Sequence, residues 1–193
     1  MVALSGDEED LARVDEAIAQ VCHDDARVLR YLDRVRGYPL LTHGLPTRVA
    51  WLRYPDHRDL ALAVNRQVRD QEIGAPVVFT RGPWDLGLSA NLWRESEGIP
   101  DGTDGDADLP VIAAMLAAAN GATIVSLGPD ETAGPASGLV ATSAIVASGS
   151  PEADLRLERV LDGDPTFGVL RLATAGDSDA QTHLTTLGLS DDS

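Results

Sequence analysis

Apolar residues recur at Leu11, Val14, Ile18, Val21, Val28, Leu32 and Val35, a helical spacing that predicts helix over residues 8–35. Ser5 or Asp7 is placed to cap it, and the acids of its first turn suit the positive end of the helix dipole. Asp24-Asp25 is the expected break into two helices, and Gly37 and Pro39 close the segment. A strand is predicted at about 47–54. Asp56 follows as an N-cap, with Asp59 three residues on, and a helix presents Leu60, Val64, Val68 and Ile73 inward. Gly74 ends that helix, and APVVFT gives a second strand.

Beyond Pro83 the chain is rich in loop residues up to Asp108, the expected cap of the small-residue helix LPVIAAMLAAAN. ATIVSL and LVATSAIVAS read as strands, Ser150-Pro151 as a helix start, PEADLRLERVL as the helix, and FGVLRLAT as a last strand. Strand, helix and strand with short links over residues 47–80 form a βαβ unit, which implies a parallel pair. The fold class is therefore α/β or α+β: a single mixed sheet of about five strands, covered by helices. Residues 1–175 are expected to form one globular domain, and residues 176–193 a polar, flexible tail.

Charge changes this picture. The chain has a formal net charge of −16, and all 15 basic residues are arginine. Without lysine there is no Walker A nucleotide site, no Schiff-base lysine and no protein-kinase strand lysine. Residues 1–94 hold 12 Arg against 14 Asp and Glu, residues 95–193 only 3 against 17. Within 27–94 the balance reverses, 11 Arg to 6 acids, a net of +5. Such a segment either compensates the acidic remainder internally or offers an anion site. A GC-rich genome or a salt-adapted host accounts for the composition. One cysteine, Cys22, rules out an internal disulfide and any multi-thiolate metal site within the chain. With no apolar run of membrane-spanning length and no signal-like start, the chain reads as cytoplasmic.

In a parallel sheet, ligands bind beyond the carboxyl ends of strands. The first such end offers His57 and Arg58, the second Arg81 and Trp84, the third Glu131 in a Gly/Pro-rich loop. If these ends share one edge, Arg58 and Arg81 hold a phosphate or carboxylate while Trp84 stacks on a flat ring. Asp56 as a cap and Gly82-Pro83 as a turn explain the same residues without a ligand. DGTDGDADLPVI departs from the EF-hand pattern, with Leu109 where glycine is required and Met115 where glutamate is required, so no metal site is expected. Cys22 and His23, adjacent on a helix, point about 100° apart and make no nucleophile–base pair. Neither GxSxG nor HExxH is present, and the glycines at 128, 134 and 138 miss the dinucleotide fingerprint.

RVAWLRYPDHRDLALAVNRQVRDQEIGAPVVF resembles the middle of FMN-dependent nitroreductase-like proteins, where a strand and a helix lead to an Ala-Pro-Val-Val-type strand. LPVIAAMLAAANGATIV resembles their central small-residue helix, and RVLRYLDR their arginine-rich phosphate motif. The resemblance spans about a third of the chain. It implies an FMN-binding oxidoreductase, a dimer, and a flavin phosphate held by Arg27, Arg30 and Arg34. The residues themselves, which complete no catalytic constellation, favour another function: a non-catalytic or accessory domain acting through a small anionic ligand or a partner chain. Nucleic-acid binding through the Arg27, Arg30, Arg34 and Arg36 stripe is disfavoured by the net charge.

Overall fold

Residues 1–53, 56–81, 109–129, 139–174 and 176–186 are described by a computed structural model. The first strand, β1 (Val2–Ala3), leads into α1 (Glu8–Val21). Asp7 caps α1 by accepting from Glu9 N at 2.9 Å, and the acids Glu8, Glu9 and Asp10 fill its first turn. The helix breaks at the expected place, and Asp25 caps α2 (Ala26–Val35). The hairpin β2 (Leu40–Thr42) and β3 (Leu45–Thr47) follows, then α3 (Asp56–Arg69) and β4 (Val77–Arg81). The remainder is α4 (Leu109–Asn120), β5 (Ile124–Pro129), β6 (Leu139–Ala147), α5 (Pro151–Thr174) and α6 (Ser178–Thr186).

Six strands form one sheet in the order β2-β3-β1-β4-β6-β5, which with its helices makes the mixed α/β fold the pattern implied. The β3-α3-β4 unit has one refinement. Both strands pair antiparallel with β1, Val2 opposite Thr47 on one side and Val78 on the other. They therefore point the same way, but β1 lies between them. β3 shares only Thr47 with the strand expected at 47–54, and residues 48–53 are extended chain outside the sheet. Its neighbour β2 joins it through His43 (φ 52°) and Gly44 (φ 82°), the positive-φ pair of a type I′ turn. Such a turn makes Thr42 and Leu45 a hydrogen-bonded pair, so Leu41 and Pro46 oppose each other without ladder bonds. A proline is tolerated there because β2 asks for no N–H at that position.

The last predicted strand is helical. α5 continues through Gly163 and the apolar run FGVLRLAT to Thr174. A short apolar run cannot be told from a buried helix by periodicity alone. Here Val169, Leu172 and Ala173 lie three and four apart and pack with Ala180 and Leu184 of α6, which falls in the stretch expected to be a polar tail.

The chain divides into two compact units. The first comprises Met1–Thr80, Gly121–Thr123 and Ala144–Asp162. Its core brings Val14, Ile18 and Leu32 together with Leu60, Val64, Val77, Ile145 and Leu157. The second comprises Arg81–Asn120, Ile124–Ser143 and Gly163–Ser193, and Ala113 and Ala141 pack there with Phe167.

Two polar groups are locked into the first unit. Arg48 is 1% exposed and Asp15 2% exposed. They form a bidentate pair, Nε to Oδ1 and NH2 to Oδ2, both 2.7 Å. Asn65, wholly buried, accepts from Gly149 N at 2.7 Å and donates to Ser150 O and Asp154 Oδ1 at 3.0 and 2.6 Å. That network pins the turn before α5 to α3. There Ser150 caps α5 by accepting from Ala153 N at 3.1 Å.

Candidate functional site

An open groove of about 380 Å³ lies in the first unit, lined by Asp25, Arg27, Val28, Tyr31, Ala50, Trp51, Leu52 and Arg53. One wall is the start of α2. Asp25 accepts from the backbone of Arg27 at 2.9 Å and from Val28 at a longer 3.5 Å, and it also takes the Arg27 guanidinium through both oxygens, at 3.2 and 2.9 Å. The guanidinium, followed by the helix N–H groups, holds the Asp25 carboxyl well below the usual carboxylate range. The other wall is the extended segment after β3. It is fixed where the Tyr31 hydroxyl donates to Val49 O at 2.6 Å.

Arg53 closes the end of the groove. It donates to Asp24 at 2.7 Å and Asp56 at 3.1 Å, and lies 3.7 Å from Asp25. These bonds lower the Asp24 pKa and keep Arg53 firmly charged. Cys22 donates weakly to Asp56 at 3.9 Å. Burial, and then the Asp56 charge, push its thiol up to about 11, so it is a packed residue and a poor nucleophile at neutral pH.

Several large apolar side chains between residues 38 and 51 are exposed, Trp51 of the groove among them. Tyr38 is 79% exposed, Trp51 70%, Leu41 67%, Leu40 54% and Val49 41%. Leu40 and Leu41 belong to β2, the end strand of the sheet, and every residue of β2 is exposed.

Of the residues the sequence singled out, Arg27 lines this groove. Arg30 and Arg34 stand exposed on the next turns of α2, with no ion pair among the described residues. Arg58 reaches Asp59 at 2.9 Å and Asp162 at 3.1 Å, pairs that raise its pKa and tie α3 to α5. His57 is half-buried with its Nδ1 enclosed, and Arg81 is half-buried at the carboxyl end of β4. Trp84 and Glu131 lie outside the described residues, as does Asp108. Asp56 is the first residue of α3, and its carboxylate serves Arg53 and Cys22.

Sequence reasoning passed over Trp51 and Arg48. Trp51 sat inside an expected strand, where one face should be covered. The available signal for Arg48 was Asp15, an acid in phase with Leu11 and Ile18 on the buried stripe of α1, which demands a cationic partner. Among the described residues no cluster of three His, Cys, Asp or Glu is placed to hold a metal ion. No described helix is long and apolar enough to cross a membrane.

A six-stranded sheet with its helices and an aromatic, arginine-walled groove define a mixed α/β domain. Its family is specific: residues 1–186 match the urocanase C-terminal domain, and the chain belongs to that family. The match covers all three stretches that resemble nitroreductase-like proteins and assigns them elsewhere. An FMN site on Arg27, Arg30 and Arg34 has no support from it, and Arg27 is already bound to Asp25.

Proposed function

We propose that this chain is an accessory domain that acts by docking on a partner protein through the apolar face of Tyr38, Leu40, Leu41, Val49 and Trp51. The observation that carries this reading is the exposure of that face. Scattered apolar residues are normal on a surface, but five large exposed ones within residues 38–51, two of them aromatic, are the kind of concentration that marks an interaction site. The family supports the reading, since its name describes one domain of a larger enzyme, urocanase.

A small anionic ligand is the second reading. It is favoured by one observation, the exposed indole of Trp51 in a groove that Arg27 and Arg53 also line. The pairing of Arg27 and Arg58 with carboxylates weighs against it, because an incoming anion must compete with Asp25, Asp59 and Asp162. His57, Arg81, Trp84 and Glu131 remain its other candidate contacts.

The docking reading is tested by the native mass of the tagged chain purified at high salt from the cells that make it. The expected result is one stoichiometric complex, with Leu41→Asp eluting alone and still folded. Equal masses for wild type and variant would refute docking through this face.

A further inference from the structure

Resting on the docking reading, we infer that the groove beside Trp51 is the anchor pocket of that face. The segment it takes is acidic and carries one bulky apolar side chain. The lining has the composition of an interface hot spot, with tryptophan, tyrosine and two arginines over a floor of Val28, Ala50 and Leu52. Its volume of about 380 Å³ is at the small end for a ligand pocket, enough for one large side chain.

The arginine walls are already ordered. Asp25 fixes Arg27, and Asp24 with Asp56 fixes Arg53, so little side-chain entropy is lost when a partner arrives. Both guanidiniums are answered by these carboxylates, so they shape the pocket, and the partner's acidic residues fall to the arginines farther along the segment.

Charge selects the partner. Of the six arginines in residues 27–53 of this net −16 chain, Arg48 is buried against Asp15, and Arg27 and Arg53 are paired with carboxylates. Arg30, Arg34 and Arg36 are exposed and carry no ion pair among the described residues. An acidic segment is drawn to these exposed arginines. A second copy docked through the same face would set these arginines against their own counterparts.

The test is selection of a random 12-residue peptide library on phage against the immobilised full chain. Acidic peptides with one aromatic or leucine anchor are expected. A synthesised winner should bind at least tenfold more weakly to Trp51→Ala, and also to Arg30→Glu/Arg34→Glu, whose salt dependence should flatten. Trp51 is exposed enough for Trp51→Ala to keep its fold, which a melting curve checks. Selection of basic or uncharged peptides, unchanged binding by Trp51→Ala, or no selection at all would overturn the anchor. Wild type dimerising through Trp51 without peptide would overturn it in favour of a second copy. The Leu41→Asp mass measurement stands apart: if that variant still leaves its complex while no acidic peptide is selected, docking survives and only the anchor fails.

Discussion

Removing Arg48 should be among the most damaging single changes to this fold. Both of its bonds to Asp15 are 2.7 Å, and neither side chain is more than 3% exposed. Arg48→Met removes the cation and leaves a carboxylate in the core with nothing to offset its lost hydration. Breaking a buried pair in this way costs about 3–5 kcal/mol. A domain of this size is stable by roughly 5–15 kcal/mol, so the variant loses a large share of its margin. At about 2–4 °C per kcal/mol, its melting temperature should fall by roughly 6–20 °C. The informative companion is Asp15→Leu/Arg48→Met. If the damage comes from an orphaned charge and not from lost volume, the double variant should recover most of the loss, because apolar replacements of buried pairs are often neutral or better. Thermal and urea unfolding of wild type, both single variants and the double complete the cycle. Single losses below about 1 kcal/mol, or a double variant as unstable as the singles added, would refute this reasoning.

Gly149 sits at φ +82°, and a Cβ there would lie 3.0 Å from Arg69 N and 3.1 Å from its Cα. Gly149→Ala should cost more than about 1–2 kcal/mol in urea unfolding. Gly74→Ala, whose Cβ meets only Asp10 oxygens at 3.4 Å and beyond, should be much milder, and equal costs would refute the distinction. Cys22 has its pKa raised from 9.0 to about 11, so the folded state holds the proton longer than the unfolded chain. Its contribution to stability is complete below pH 9 and is lost as pH rises toward about 11. A thiol reagent at pH 8 should therefore label the native protein only at its unfolding rate, and rapid stoichiometric labelling would show the site to be open.

The parts of the fold legible in the sequence were those governed by local rules. Asp7 and Ser150 cap helices because their side chains reach N–H groups two or three residues on, and such spacing is visible in a string of letters. The break between α1 and α2 at Asp25 follows from the same rule. What failed depended on distant partners. Insertion of β1 between β3 and β4 brings Val2 against Thr47 and Val78, and no local pattern records that. The helical end of α5 depends on Val169 and Ala173 packing with α6. Arg27, singled out by its charge, lines the groove, whereas Trp51 was passed over inside a misplaced strand, because nothing in RVAWLRYP shows where β3 stops.

Arginine partners decide how the basic segment should be understood. Counted along the chain, residues 27–94 carry an excess of +5, which invites an anion site. Carboxylates that answer Arg27 and Arg58 stand only one or two residues away, at Asp25 and Asp59, with Asp162 also meeting Arg58, while Arg48 is answered by Asp15 of α1. Those arginines serve capping, helix docking and the core. The excess that survives includes Arg30, Arg34 and Arg36, on the helix that walls the Trp51 groove and leads into the exposed hairpin. A small ligand needs guanidiniums converging on one point. Arginines spaced along a helix beside exposed leucines instead match an extended acidic surface, where each pair is worth little alone but the set steers association. The distribution of unanswered charge thus favours a protein partner over a metabolite.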